Sequence, residues 1–298
     1  MKGRLFKLAT GGATALIVLT ILLILGNIVW EGAGQISGRF VFGGTKEGMF
    51  EAKTAGVFPM IFGTLALVTL MTVGVVPVGV ITAVYLNEYA RSTAALTRVI
   101  RSAINNLAGV PSIVFGLFGL GFFIQFVGGG IDSMFYNGEL HYRKPALVWA
   151  AATMAIMTLP VVIVATEEAL RAVPNGLRES SLALGATKLE TIWRIVLPEA
   201  LPGVLTGAIL AVGRGAGEVA PIMFTGAAYY LAHLPTQWTD QFMHLGYHVF
   251  VLSTQSPDIE RTKPILYGSV LVLLAVTFLL NLAGVIVRAK IRSRIRHG

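Results

Sequence analysis

The sequence predicts an all-α integral membrane protein with six transmembrane helices, and three observations carry that prediction. Hydrophobic residues make up 55% of the 298-residue chain, charged residues only 13%, and mean hydropathy is +0.74. Five stretches, 8–30, 54–87, 102–131, 145–166 and 264–287, contain no Asp, Glu, Lys or Arg. Each is long enough to cross about 30 Å of hydrocarbon as a helix. The sixth span is found from its charges. Glu199 and Arg214 are separated by 14 uncharged residues, too few for a crossing that needs about 20. The span that starts near Pro202-Gly203 therefore carries Arg214 and Glu218 into the bilayer, with Arg214 at the midpoint of Gly203–Thr225.

Taken in order, the first stretch follows Lys2, Arg4 and Lys7 as a signal peptide would. Its apolar run is longer than the usual h-region of 7–15 residues, and no small-x-small cleavage site follows before Glu31, so a retained first helix is expected. The third stretch opens on Asn105-Asn106 and contains Pro111, which kinks or restarts its helix. Segment 219–239 also lacks charge. It holds Pro221, Pro235, His233, Tyr229 and Tyr230, and reads as a helix end plus an external segment. The external segments, 31–58, 128–145 and about 226–263, leave room for short interfacial helices, with Trp30, Trp238 and Tyr247 as aromatic anchors.

The fifth span is rich in glycine. Gly203-x-x-x-Gly207 reads as a packing face, whereas Gly213, Gly215 and Gly217 leave room for a ligand to reach Arg214. The hydroxyls of Thr158, Thr206 and Thr225 are further path candidates.

The long loop 167–202 is the second informative region. Pro174-Asn175-Gly176 opens a turn, a helix over 177–184 stops at Gly185, and Thr187-x-x-Glu190 is a capping box for a second helix ending near Val196. Pro198 and Pro202 mark re-entry into the membrane. Two short helices that present Leu182, Leu184, Leu189, Ile192 and Trp193 suggest a docking element for a soluble partner.

Charge placement sets the orientation. The N-tail, the loops after the second and fourth spans and the C-tail hold 15 Lys and Arg; the alternate loops hold 7. That bias predicts both termini in the cytoplasm. The basic tail Arg288–Arg296 fits an anionic bilayer leaflet, so the net charge of +8 points to lipid and not to nucleic acid. No cysteine is present, which excludes disulfides and thiolate sites. Glu167 and Glu168 fall on the opposite side from His141, His233, His244 and His248 on this topology, so no metal site is expected. No lysine follows a glycine, so a phosphate-binding ATPase loop is absent.

These spacings also resemble a known family. Glu179-Ser180-Ser181, three residues, Gly185, nine residues, then Ile195-Val196-Leu197-Pro198 is similar to the EAA loop of ABC-transporter permeases, with serine at both alanine positions. Leu107–Leu120, Thr158-Leu159-Pro160 with Glu167–Pro174, and Arg214–Thr225 resemble phosphate permeases of the PstA type. Val219, where threonine is usual, and Val164, where several members carry arginine, depart from it.

The resemblance implies a type I ABC importer permease of MetI-like architecture in a prokaryotic plasma (inner) membrane. It implies residues 1–58 as an N-terminal helix and external loop, 59–288 as the permease domain with its coupling loop at 167–202, and 289–298 as a cytoplasmic tail. It implies that Glu179, Gly185, Ala186 and Pro198 couple to an ATPase. The implied partners are a homologous PstC-type permease, a PstB-type ATP-binding dimer that holds the ATP, and a PstS-type phosphate-binding protein, with no cofactor and no enzymatic activity on this chain.

Two readings of the charged pair stand side by side. Arg214 and Glu218, at i,i+4, neutralise each other as a structural element. Alternatively Arg214 presents its guanidinium fork to a phosphate oxyanion and Glu218 competes for it on release. Glu167 and Arg171 form a possible charge network. An ABC permease for molybdate, tungstate or sulfate, and an ATP-independent anion channel or carrier, are the alternatives.

Overall fold

The computed structural model describes residues 2–45, 50–51, 53–91 and 93–297. Among them the chain is helical, with no strand beyond a single bridge between Ala227 and Phe242. Six helices are long and apolar enough to span a membrane: α1 Phe6–Gln35, α3 Phe58–Tyr89, α5 Ser112–Phe135, α6 Leu147–Ala172, α8 Lys188–Gly217 and α11 Ile259–Ser293. Shorter helices stand between them: α2 Gly38–Phe42, α4 Ala95–Ala108, α7 Asn175–Ala183, α9 Ala220–Thr225 and α10 Leu245–Thr254.

The centre of the bundle is α6, whose apolar stretch is 61% buried, against 0% for α1 and 6% for α11. Small residues let its neighbours close in. A Cβ added at Gly207 of α8 would stand 2.8 Å from Ala165, and one at Gly79 of α3 would stand 2.7 Å from Val162. Close backbone approach of this kind replaces the hydrophobic drive that lipid removes. Met71, Met154 and Met157 fill the core where α3 meets α6.

Three expected boundaries differ. The third span does not begin at 102, because α4 ends at Ala108 and Pro111 restarts the chain as the N-cap of α5. The second loop helix does not stop near Val196. It runs on as α8, with a wider π-turn over Ile192–Val196 that accommodates the missing amide donor of Pro198. Pro198 and Pro202 both lie inside this continuous helix and not at a break.

Lastly, the fifth span is discontinuous. Its helix ends at Gly217, Glu218 is extended (φ −77°, ψ 136°), and α9 begins at Ala220 with Pro221 in its first turn, where no amide donor is needed. The basic tail stays helical to His297, while the side chains of Arg294 and Arg296 lie outside the described residues, as do those of Lys2 and Arg4.

Candidate substrate path and coupling loop

Arg214 lies in the last turn of α8, one residue from Gly215, whose backbone faces Met71. Met71 is fully buried midway along α3, so the Arg214 backbone stands near half depth in the bundle, as the sequence expects. The break at Glu218 does not separate the pair: Arg214 Nε donates to Glu218 Oε1 at 3.1 Å. This is the one recorded bond of the guanidinium among the described residues, and the Arg214 side chain is 40% exposed. Its two Nη groups thus remain available as a fork. Helix discontinuities at mid-depth recur where transporters hold ions, because free backbone groups and charge are tolerated there only beside a cavity.

The glycines around Arg214 are only partly what the sequence suggests. A Cβ at Gly213 would meet Asn281 Oδ1 at 3.1 Å, and one at Gly215 would meet Met71 Cε at 2.8 Å, so both serve packing. Nothing lies within 4 Å of a Cβ at Gly217, which is the open position. The hydroxyl candidates are already engaged. Thr158 donates to Met154 O, Thr225 to Pro221 O and Thr206 to Pro202 O, while Thr206 Oγ1 also accepts from Arg288 Nη1 at 3.0 Å. Val219 packs against the first turn of α10, beside Gly246. Val164 is exposed on α6.

The turn at the centre of loop 167–202 folds as its sequence dictates. Gly185 adopts φ +86°, its N–H donates to Leu182 O and the Ala186 N–H reaches Ser181 O, the paired bonds of a left-handed helix stop. Thr187 and Glu190 then form the expected capping box. Glu179 and Pro198 are exposed, Ala186 is half-buried, and Leu184 is 90% exposed at the tip. Leu182, Leu189 and Trp193 are exposed beside it, whereas Ile192 is buried. An apolar groove between α3 and α8, lined by Tyr85, Tyr89, Leu189 and Trp193, continues this surface.

The Glu167–Arg171 contact is real but secondary. Glu167 Oε2 lies 3.5 Å from Arg171 and 2.8 Å from Arg101 Nη1, a partner that sequence reasoning missed. Arg101 also donates to Leu86 O. A second missed pair, Arg178–Glu88 at 3.1 Å, joins α7 to the end of α3. The same Arg178 donates to Leu170 O and Val173 O at the end of α6. Arg178 and Glu88 stand 90 positions apart in the chain, so no local pattern signals them. No group of three or more His, Asp or Glu that would hold a metal occurs among the described residues.

Comparison with known proteins bears on this arrangement. Residues 75–297 match the family described as binding-protein-dependent transport system inner membrane component. The chain is 34% identical over 222 residues to the probable ABC transporter permease protein YqgI of Bacillus subtilis, covering 74% of this chain and 69% of that protein. It is 41% identical over 173 residues to the phosphate transport system permease protein PstA 1 of Mycobacterium tuberculosis, covering 58% of this chain and 51% of that one. The chain thus spans about half the length of this mycobacterial relative. A probable phosphate transport system permease protein PstA of Methanocaldococcus jannaschii is 29% identical over 279 residues, covering 93% and 90%. Among solved structures, a bacterial alginate ABC transporter chain superposes with a TM-score of 0.65 at 15% identity, covering 91% of each chain. At that identity the likeness concerns the fold alone.

Proposed function

The chain belongs to the binding-protein-dependent transport system inner membrane components, and from that membership we propose that it is the permease subunit of an ATP-driven inorganic phosphate importer. As a member of that family it is a multi-pass membrane protein that works with other ABC components and is not itself an enzyme. The observation that carries the phosphate reading is Arg214: a guanidinium with one intramolecular bond at half depth, next to a helix break and the open Gly217 position. The names of the PstA relatives support the same substrate.

In this reading the basic ends face the cytoplasm of a prokaryotic cell. A PstC-type permease completes the pore, a PstS-type protein delivers phosphate, and a PstB-type dimer binds ATP and docks on Leu182, Leu184, Leu189 and Trp193. Phosphate oxygens accept from the Arg214 fork, whose geometry matches two oxygens of an oxyanion. Glu218, held on the same guanidinium, competes with phosphate and repels it, which favours release over trapping. The loop-side residues Glu179, Gly185, Ala186 and Pro198 shape the docking surface. Rocking of the two permeases would expose Arg214 to each side in turn.

The test is ATP-dependent uptake of labelled phosphate into proteoliposomes that contain the full complex, wild type against Arg214→Gln, with molybdate, tungstate and sulfate as competitors. Phosphate accumulation that resists the competitors and vanishes in Arg214→Gln, with assembly intact, is expected. Preferential uptake of a competitor would assign the permease to another oxyanion, and ATP-independent uptake would make it a carrier.

A further inference from the structure

We infer that α3 is a second transmission rod, which carries motion of the coupling loop to Gly215, beside Arg214, in parallel with the backbone of α8. This rests on the proposed docking of an ATPase on loop 167–202. The covalent route is evident, since α8 runs unbroken from Lys188 to Gly217. The second route is built from noncovalent contacts at the end and the middle of one helix.

At the loop side, the final π-wound turn of α3, Tyr85–Tyr89, is gripped by three cations from three elements. Arg101 of α4 donates to Leu86 O at 3.1 Å. Arg178 of α7 donates to the Glu88 carboxylate at 3.1 Å. Lys188, the first residue of α8, donates to Glu88 O and sits 4.8 Å over the Tyr89 ring. Cations at a helix C-terminus satisfy its free carbonyls and its dipole, so the grip has a local physical reason. Two of them, Arg178 and Lys188, flank the Gly185 turn, so both arms of the coupling loop hold α3. Arg178 and Glu88 are only 17% and 10% exposed, which shields the pair from the screening that weakens surface ion pairs.

At mid-helix, Met71 Sδ and Cε reach 2.9 and 2.8 Å from the position of a Gly215 Cβ, at the residue next to Arg214 in the chain. From Glu88 to Met71 is about 25 Å along the helix. Between them α3 is braced on α6 by Gly79 against Val162. Pro77 removes one backbone bond of α3 on this path. The Gly79–Val162 contact two residues away nevertheless holds α3 on α6, so a shift imposed at Glu88 is passed on toward Gly215 through a packed interface that shifts between discrete arrangements.

The absence of cysteine gives a clean test. Gly217→Cys, at an exposed position with open space around it, reports access beside Arg214 through its labelling rate with a water-soluble maleimide. The reconstituted complex would be labelled with and without ATP in four backgrounds: Glu88, Glu88→Gln, Met71→Ala and the double variant, with Met71→Val in place of Met71→Ala if assembly suffers. Expected is an ATP-dependent rate change that falls by at least about twofold in each single variant and no further in the double. Sites this far apart ordinarily act additively, so the missing second loss marks a shared route. Independent, additive losses, or a wild-type response in Glu88→Gln, would overturn the inference. No ATP response in the parent background would instead overturn the coupling reading beneath it, and phosphate uptake in the same vesicles checks the substrate separately.

Discussion

Two charged regions lie along the same bundle, and they differ in how many partners hold each group. At the loop side Arg178 donates to the Glu88 carboxylate and to two backbone carbonyls, and Glu167 is shared between Arg101 and Arg171. Near half depth Arg214 has one bond among the described residues, to Glu218, and a 40% exposed side chain. Burying a cation at such depth costs about 2.5–3.5 kcal/mol on insertion scales, and full pairing would be the economical arrangement. The difference teaches that the loop-side charges are held by redundant bonds, while Arg214 keeps donors free for the exchange of partners proposed above.

Several substitutions would break or sharpen that contrast. The largest effect is expected from Arg214→Lys, which keeps the charge and removes the planar fork. Phosphate uptake should fall at least about tenfold, the scale of one lost charge-assisted bond, while the melting temperature of the complex stays put. Glu218→Gln should act next. Single-turnover kinetics should show phosphate bound normally and released several-fold more slowly; unchanged release would remove Glu218 from the cycle.

Thr206→Val takes the only recorded side-chain partner from Arg288 among the described residues. It should lower stability by about 1 kcal/mol, read as a small drop in melting temperature with uptake kept. The smallest effect concerns the external segment. Backbone N–H groups of Gln237 and Thr236 hold the Asp240 carboxyl below its usual range. A depressed folded value means that its contribution is present above the unfolded pKa and is lost as pH falls through the folded one. Asp240→Asn should therefore lower stability slightly at neutral pH, where the contribution is fully present, and reduce the slope of stability against pH in the acid range.

Five of the six spans were legible because lipid disfavours charge, as runs such as 145–166 show directly. The sixth was legible because the gap between Glu199 and Arg214 is too short for a crossing. The Gly185 stop and the Thr187 capping box were legible because local backbone chemistry fixes them. The break at Glu218–Val219 was not, although Pro221 carried the signal: proline belongs in the first turn of a new helix as well as at the end of an old one. The roles of Gly213 and Gly215 depended on Asn281 and Met71, which only the fold brings beside them. The α3 grip was hidden for the same reason. Glu88 and Arg101 look in sequence like ordinary span boundaries, and Arg178 like one more charge of the loop helix.

The most direct test of this division is to measure phosphate uptake and melting temperature together for Arg214→Gln and Glu167→Gln in the same reconstituted complex. The account predicts a crossed result. Arg214→Gln loses uptake and keeps its melting temperature, whereas Glu167→Gln melts a few degrees lower, since it unpairs Arg101, and keeps uptake in proportion to the folded fraction. If Arg214→Gln instead lowers the melting temperature and retains uptake, the pair at half depth is structural and the path runs elsewhere.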